Sequence, residues 1–461
     1  MIQSTARRVL EAALSGGADF AEIFLENRKN NSLQFLGGEM RSAISGRDYG
    51  LGLRLIKDLK SVYSYTNDTS EENLLAMARK SAKVLQGEKR HQILNFDVKK
   101  PKNLNFIKCN PGDYSLKDKE GALRQAYAAA MAYDDLISQA SISFMDWDQE
   151  VVIINSQGLW VEDRRIRSRF AVSAVADYEG EKQTGFMGPG ASMGMELLEK
   201  YPPEEIAKEA ARIAVTMAKA GYAPSGEMPV VMDKGFGGVL FHEACGHSLE
   251  ASSVAKKNSV FADKLMDQIA SEKVTAIDDG TLPGEWGTTT VDDEGTPTRR
   301  NVLIEKGILK SFLVDNLNGK RMNMQTTGSA RRESYRYEPT SRMNNTFIAP
   351  GEDLFDEMIS TTQSGLYAKS LGGGSVNPIT GEFNFSVMEG YLIEEGKITK
   401  PVRGASLIGK GHEILMKIDA VSGDFALAEG MCGASSGSIP ASLGQPQVRI
   451  SSLKIGGRNA R

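Results

Sequence analysis

PVVMDKGFGGVLFHEACGHSLEAS, residues 229–252, decides how the second half of this chain is built. A short apolar run of strand length, PVVMD, passes through glycines into a segment of helical composition. Within it Glu243 adjoins His242, and His247 follows His242 by five positions in a chain that has only four histidines. Two imidazoles can share an ion when they project to the same side of the backbone, which a regular helix achieves at a separation of four. At about 100° per residue, a separation of five leaves the two rings roughly 140° apart. A shared ion therefore requires the helix to widen into a π-type turn or to end between them, and Gly246 eases either distortion. A histidine pair packed in the core or solvated at the surface is the competing reading, and spacing alone leaves both open.

A hydrolytic metal also needs a third protein ligand, an open position and a base. Glu243 suits the base, a role it would lose as a ligand. Cysteine is sparse and odd in number, with Cys109, Cys245 and Cys432 making a set unsuited to a disulfide framework. Cys432 sits in EGMCGASSG, where small flanking residues let the backbone fold tightly around a thiolate. Cys245 is the competitor, but at two residues from His247 it lies about 200° around a helix and reads as a small core residue.

Downstream of residue 253 the chain alternates short strands and glycine turns, as in TLPGEWG, NVLIEKGILKSFLVDN, GYLIEEGKITK and PVRGASLIGKG. Helices are expected only near 241–265 and 351–362. Upstream, Val9, Leu10, Ala13 and Leu14 share one face of a helix over 4–15 that stops at Gly16 and Gly17. FAEIFLE, SLQFLG, AISGRDYGLGLRLI and SVYSYT then predict an antiparallel meander, and Thr69 with Glu72 predicts a capping box for a second helix. The polar stretch 87–111 reads as a linker. After it the order recurs: a helix near 117–134, strands SQASISF, EVVIINSQG, LWVEDRR and RFAVSAVADY, and a helix opened by Pro202 and Pro203.

The fold class that follows is α+β, with N-terminal layers of antiparallel sheet flanked by helices and a C-terminal, mainly antiparallel β domain that carries the histidine helix. Expected units are 1–110, 111–222 and 223–461, consistent with 461 residues and 41% apolar content. Formal net charge is −4 and no Lys/Arg block interrupts the mixed-sign pattern, which argues against nucleic acid or an anionic membrane as a partner. The first residues lack an apolar targeting core, and no window reaches the run of about 18 apolar residues that spans a bilayer. A cytoplasmic protein is expected.

Other conspicuous residues have plainer readings. Arg331, Arg332 and Arg342 lie among Glu333, Tyr335, Tyr337 and Glu338, where structural ion pairing is favoured over substrate anchoring. Gly372–Gly374 reads as a tight turn near the cleft, because no Lys-Ser/Thr follows to make a phosphate loop. His412 reads as a solvated or backbone-bonded turn histidine. Asp278-Asp279 and Asp292-Asp293 read as turn residues without calcium-loop spacing. His91 and Cys109 fall in the linker and receive no role.

FHEACGHSLE, VTAIDDGTLPGEWGTTTVDDEGTPTRRNVLIEKGILKSFLVDN, RRESYRYEPTSRMNNTF, GGGSVNPITGEFNFSVMEGYLIEEGKI and CGASSGSIPASLGQPQVRI together resemble the TldD/PmbA metallopeptidases, once named modulators of DNA gyrase, and specifically the TldD type. The likeness is close from about residue 226 onward and looser before it, through GADFAEIFLE and GLGLRLI. It implies a metal held by His242, His247 and Cys432, with Glu243 as catalytic base. Zinc is the implied metal and ferrous iron the alternative. The implied reaction is hydrolysis of extended, unfolded or small peptides by a metal-activated water, inside a homodimer or a heterodimer with a PmbA-like subunit. The alternative is a non-catalytic peptide-binding or regulatory subunit with a structural metal, against which Glu243 argues.

Overall fold

Along Leu159–Tyr178 side chains alternate between two faces, as the pleat requires. Phe170, Val172, Ala174 and Ala176 are fully buried on one face, and Arg165, Arg167 and Arg169 project from the other. This strand belongs to an eight-stranded sheet in the computed structural model, which describes residues 1–88, 92–377 and 380–458. Sheet order runs Lys60–Thr66, Glu39–Lys57, Phe20–Leu36, Ile137–Asn155, Leu159–Tyr178, Asp97–Lys99, with Glu181–Met187 and Gly190–Ala191 also paired to Leu159–Tyr178. Neighbours are antiparallel except for Asp97–Lys99. Helices Gln3–Leu14 and Glu71–Val84 cover one stretch of the apolar face, and Leu116–Met131 and Pro203–Lys219 cover another.

The meander is present, but its strands are longer than the apolar runs that predict them. FAEIFLE and SLQFLG form one strand, Phe20–Leu36, because the polar residues between them stay in register on both sides: Asn30 lies opposite Gly46 and Trp147, and Asn31 donates to Asp146 at 2.8 Å. The capping box at Thr69 does not form. Asp68 accepts the backbone N–H of Ser70 at 3.0 Å, so the helix begins one residue later with Ser70 as its N-cap. A reciprocal box does form at Ser115 and Asp118. Nor is 87–111 a free linker where it is described: Asp97–Lys99 joins the sheet edge, and Asn105 accepts from the Gly284 N–H at 2.8 Å. His91 lies outside the described residues. None of the described helices is long and apolar enough to cross a membrane.

A twelve-stranded, mostly antiparallel sheet dominates the C-terminal half. At its centre Gly226–Met232 runs between the long final strand Gly437–Gly456 and Ser364–Val376. Ile418–Ala434 forms a hairpin with Gly437–Gly456. The arginine face of the first sheet is fastened to this half by buried charge pairs. Arg165 bonds Asp293 at 2.6 Å, Arg332 bonds Glu22 at 2.6 Å, and Arg54 bridges Glu22 and Glu294 at 2.9 and 2.6 Å. Breaking such a pair strands a buried charge, which makes the contact costly to open. Arg331 instead donates to backbone carbonyls, reaching Pro440 at 2.9 Å.

Two further expectations need correction. Gly372–Gly374 lies inside strand Ser364–Val376 rather than in a tight turn, and a Cβ on Gly374 would meet Phe385 Cδ1 at 2.1 Å. Asp278 and Asp279 end the buried strand Ala276–Asp279. Burial pushes the Asp278 carboxyl up to about 6, only partly offset by hydrogen bonds from Thr346 and Asn344.

Candidate metal centre

The local chain path explains how a five-residue spacing works. After Met232 a 3₁₀ turn, Gly235–Gly238, lies directly on the final strand, since a Cβ on Gly238 would meet Gly444 backbone atoms at 2.5 Å. The expected helix over 241–265 breaks up: a single turn forms at Ala251–Val254, and the histidine helix is Val239–Ala244. It stops at Cys245, whose φ of −132° and ψ of −45° leave the helical region, and a 3₁₀ turn, Gly246–Leu249, follows. Gly246 sits where a Cβ would lie 2.4 Å from Met343 Sδ. The helix therefore ends between the histidines, without a π-type turn. The break turns His247 back beside His242, with ring centroids 5.2 Å apart and planes at 86°.

From the other side, the Ile418–Ala434 strand delivers Cys432. His242 Nε2 lies 3.1 Å from Cys432 Sγ and His247 Nε2 lies 3.3 Å from it. One ligand atom from each of the three residues falls within 4.8 Å of the others. Tetrahedral zinc, with bonds near 2.3 Å to sulfur and 2.0 Å to nitrogen, calls for nitrogen–sulfur separations of about 3.5 Å, so this donor set fits such an ion with slight opening. Burial alone would raise the Cys432 thiol, but the His242 and His247 rings outweigh it and lower the thiol to about 3, which favours the ligating thiolate. For His247, burial opposes the charged ring, but Glu250 and Cys432 prevail and hold a proton there well above the usual range. A divalent cation held by these residues would supply the positive charge that the proton otherwise provides.

Cys245 takes no part. It is buried in the C-terminal core, and burial alone raises its thiol far above the ordinary range. Glu243 lies beside the trio, with Oε2 3.8 Å from His247 Nε2 and its side chain 31% exposed. His242, Glu243 and Cys432 all line a cleft of about 660 Å³ between the two halves of the chain. Phe186, Met187 and Tyr201 come from the N-terminal side, and Phe236, Ser370–Gly374 and Leu427–Cys432 from the C-terminal side.

Two supporting roles escaped the sequence reading, that of Glu250 and that of Arg342, for which only structural ion pairing was expected. Glu250 Oε1 lies 3.1 Å from His247 Nδ1, which aims Nε2 at the sulfur. Arg342 donates to the Cys432 carbonyl at 2.5 Å and to Gly437 O at 3.0 Å, with Nε 3.6 Å from Glu250 Oε1. One guanidinium thus ties together the turn that carries His247 and the hairpin that carries Cys432. The i,i+3 relation of His247 and Glu250 was a usable signal, whereas nothing local to Arg342 pointed to Cys432. Arg331, Arg332, His412 and the paired aspartates do not line the cleft. Glu250→Gln, which keeps the shape and removes the charge, is expected to weaken metal binding by about tenfold, measured by competition with a chromogenic chelator.

Residues 225–457 match the PmbA/TldA metallopeptidase C-terminal domain, 109–218 the central domain and 21–85 domain 1. The chain belongs to the PmbA/TldA metallopeptidase family. A protein of Haemophilus influenzae named metalloprotease TldD homolog is 35% identical over 451 residues, covering 96% of this chain and 93% of that one. A metalloprotease of Methanocaldococcus jannaschii is 34% identical, over 94% of this chain and 96% of its own. A relative in Saccharolobus solfataricus, 27% identical over 96% of this chain and 97% of its own, is named a zinc metalloprotease TldD homolog. Among solved structures, one from Thermotoga maritima named for a modulator of a DNA gyrase superposes with a TM-score of 0.82 at 23% identity, over 99% of this chain and all of that one. TldE from Thermococcus kodakarensis superposes with a TM-score of 0.78 at 20% identity, over 98% of this chain and 100% of its own. At those identities the structures establish the shared α+β fold, with its strand-rich C-terminal half.

Proposed function

We propose that this chain is a zinc-dependent peptidase in which His242, His247 and Cys432 hold the metal and Glu243 is the base. The observation that carries the proposal is the approach of three ligand atoms to within 4.8 Å, beside a carboxylate that lines the same cleft. Bound there, zinc supplies a Lewis acid that acidifies water and polarises a peptide carbonyl. Glu243 takes the proton from the attacking water and returns it to the departing amine. His247 is kept in its ligating orientation by Glu250, and Cys432 by Arg342. Ferrous iron is the alternative occupant of the same donors.

A strand edge favours an extended peptide as substrate. Among the described residues Ser364–Val376 is paired beyond Ala368 only to Glu382–Glu394, and its Ser370–Gly374 segment lines the cleft. On the facing wall, Leu427–Cys432, the carbonyls of Gly430 and Cys432 already accept from Trp286 and Arg342. Peptide backbone added to the Ser370–Gly374 edge is read through main-chain hydrogen bonds, so unfolded or small peptides of varied sequence are accepted. The partner is a second copy of this chain or a PmbA-like subunit. A non-catalytic role is disfavoured by Glu243, whose carboxylate lines the cleft beside His247. The test is cleavage of a quenched fluorescent, unstructured peptide. A strong chelator is expected to abolish it and stoichiometric zinc to restore it; cleavage that persists in metal-stripped protein overturns the proposal.

A further inference from the structure

Three arginines share one face of Leu159–Tyr178, and their guanidinium groups meet different fates. Arg165 is saturated by Asp163, Asp293 and the Val291 carbonyl. Arg167 donates to the carbonyls of Trp286 and Thr288. Arg169 donates through Nε to Gly188 O at 3.1 Å, and among the described residues neither of its terminal nitrogens has a hydrogen-bond or ion-pair partner. Its stem lies against Gly190, where a Cβ would meet Arg169 Cγ at 3.1 Å, so its place is fixed by packing. The residue lines the same cleft as His242 and Glu243, among Phe186, Met187, Pro189 and Tyr201.

The nearest acid does not close the fork. Glu429 attracts Arg169 from Ile418–Ala434 in the other sheet, but its Oε1 accepts the Gly190 N–H at 2.6 Å, and among the described residues it forms no ion pair with Arg169. A guanidinium with two open donors in a partly desolvated wall matches the planar, bidentate geometry of a carboxylate. Its reach can be estimated from the register. Arg169 lies opposite Gly190, Gly190 bonds Glu429, and Glu429 is three residues before Cys432. At about 3.3 Å per residue Glu429 lies on the order of 10 Å along the strand from Cys432, so about three residues of extended peptide separate the level of Arg169 from the metal ligands.

We propose that Arg169 is a carboxylate-recognition subsite of the cleft, selecting peptides that carry a carboxylate about three residues from the bond to be cut. Either the chain terminus or an Asp or Glu side chain supplies that group. The inference rests on the peptidase reading above.

The test uses the full-length, zinc-loaded protein and three matched peptides: one neutral and amidated, the same with a free C-terminus, and an amidated set with glutamate stepped along it. The wild type is expected to favour at least one carboxylate-bearing form by about tenfold or more in kcat/KM, mostly through KM, as a charge-assisted hydrogen bond provides. A preference for the free terminus identifies the chain end, and a preference for one glutamate position identifies a side chain. In Arg169→Gln the preference falls towards one, and Arg169→Lys, which keeps charge but not the fork, retains part of it. In anisotropy titrations, peptides labelled with a fluorophore should keep the wild-type ranking in Glu243→Gln and lose it in the double variant with Arg169→Gln. Cleavage with a ratio near one in the wild type, or an unchanged ratio in Arg169→Gln, overturns the subsite and leaves the peptidase reading intact. If no peptide is cut by the wild type or bound by Glu243→Gln, both fail together.

Discussion

Glu243→Gln is expected to lower peptide turnover by about 10²–10⁴-fold while leaving the metal content unchanged. The carboxylate lines the cleft, is 31% exposed and among the described residues makes no side-chain hydrogen bond, only the long ion pair with His247, so the isosteric amide removes a base at little structural cost. Because Oε2 lies 3.8 Å from His247 Nε2, the group is close enough to take a proton beside the metal and far enough to stay out of the ligand set. Single-turnover cleavage and elemental analysis of the same sample separate the two quantities. Turnover near the wild-type rate would assign the base to another residue, and loss of metal would make Glu243 a ligand.

Cys432→Ala has the second large effect, with bound zinc falling from about one per chain to none after dialysis and activity falling with it. The sulfur is the atom both imidazoles approach, at 3.1 and 3.3 Å, and the only anionic donor among the three. Removing it leaves two neutral nitrogens, and His247 also loses one of the groups that hold its proton. Cys245→Ala is the control. That thiol is 1% exposed within the core, so its loss is expected to cost about 1 kcal/mol of stability and no metal. Inductively coupled plasma analysis of both variants checks the assignment, and the reverse pattern would exchange the roles of the two cysteines.

Some of this was legible in the residues alone. The α+β layering followed from period-two apolar runs and helical periodicity, whereas the strand lengths, the cap at Thr69, the linker over 87–111 and the extent of the histidine helix were misjudged. Polar interruptions such as Asn30-Asn31 look like turns until both neighbouring strands are known to hold them in register. His242, Glu243, His247 and Cys432 were singled out by residue type, by spacing and by the family resemblance. Glu250 was within reach at i+3 from His247, but Arg342 was not, because its target is a backbone carbonyl 90 residues away.

The sequence by itself determined which atoms are available to bind a metal, since imidazole, thiolate and carboxylate chemistry belongs to the side chain wherever it sits. It also determined that an unbroken helix could not bring His242 and His247 together, because helical geometry is local. Only the tertiary structure decided that the helix ends at Cys245, since that ending is shaped by a distant methionine under Gly246 and by the strand beneath Gly238. Which cysteine meets the histidines, and which of three alternating arginines keeps its donors free, was likewise decided by sheet pairing. Contacts between residues far apart in the chain depend on how the layers close, and no local pattern encodes that.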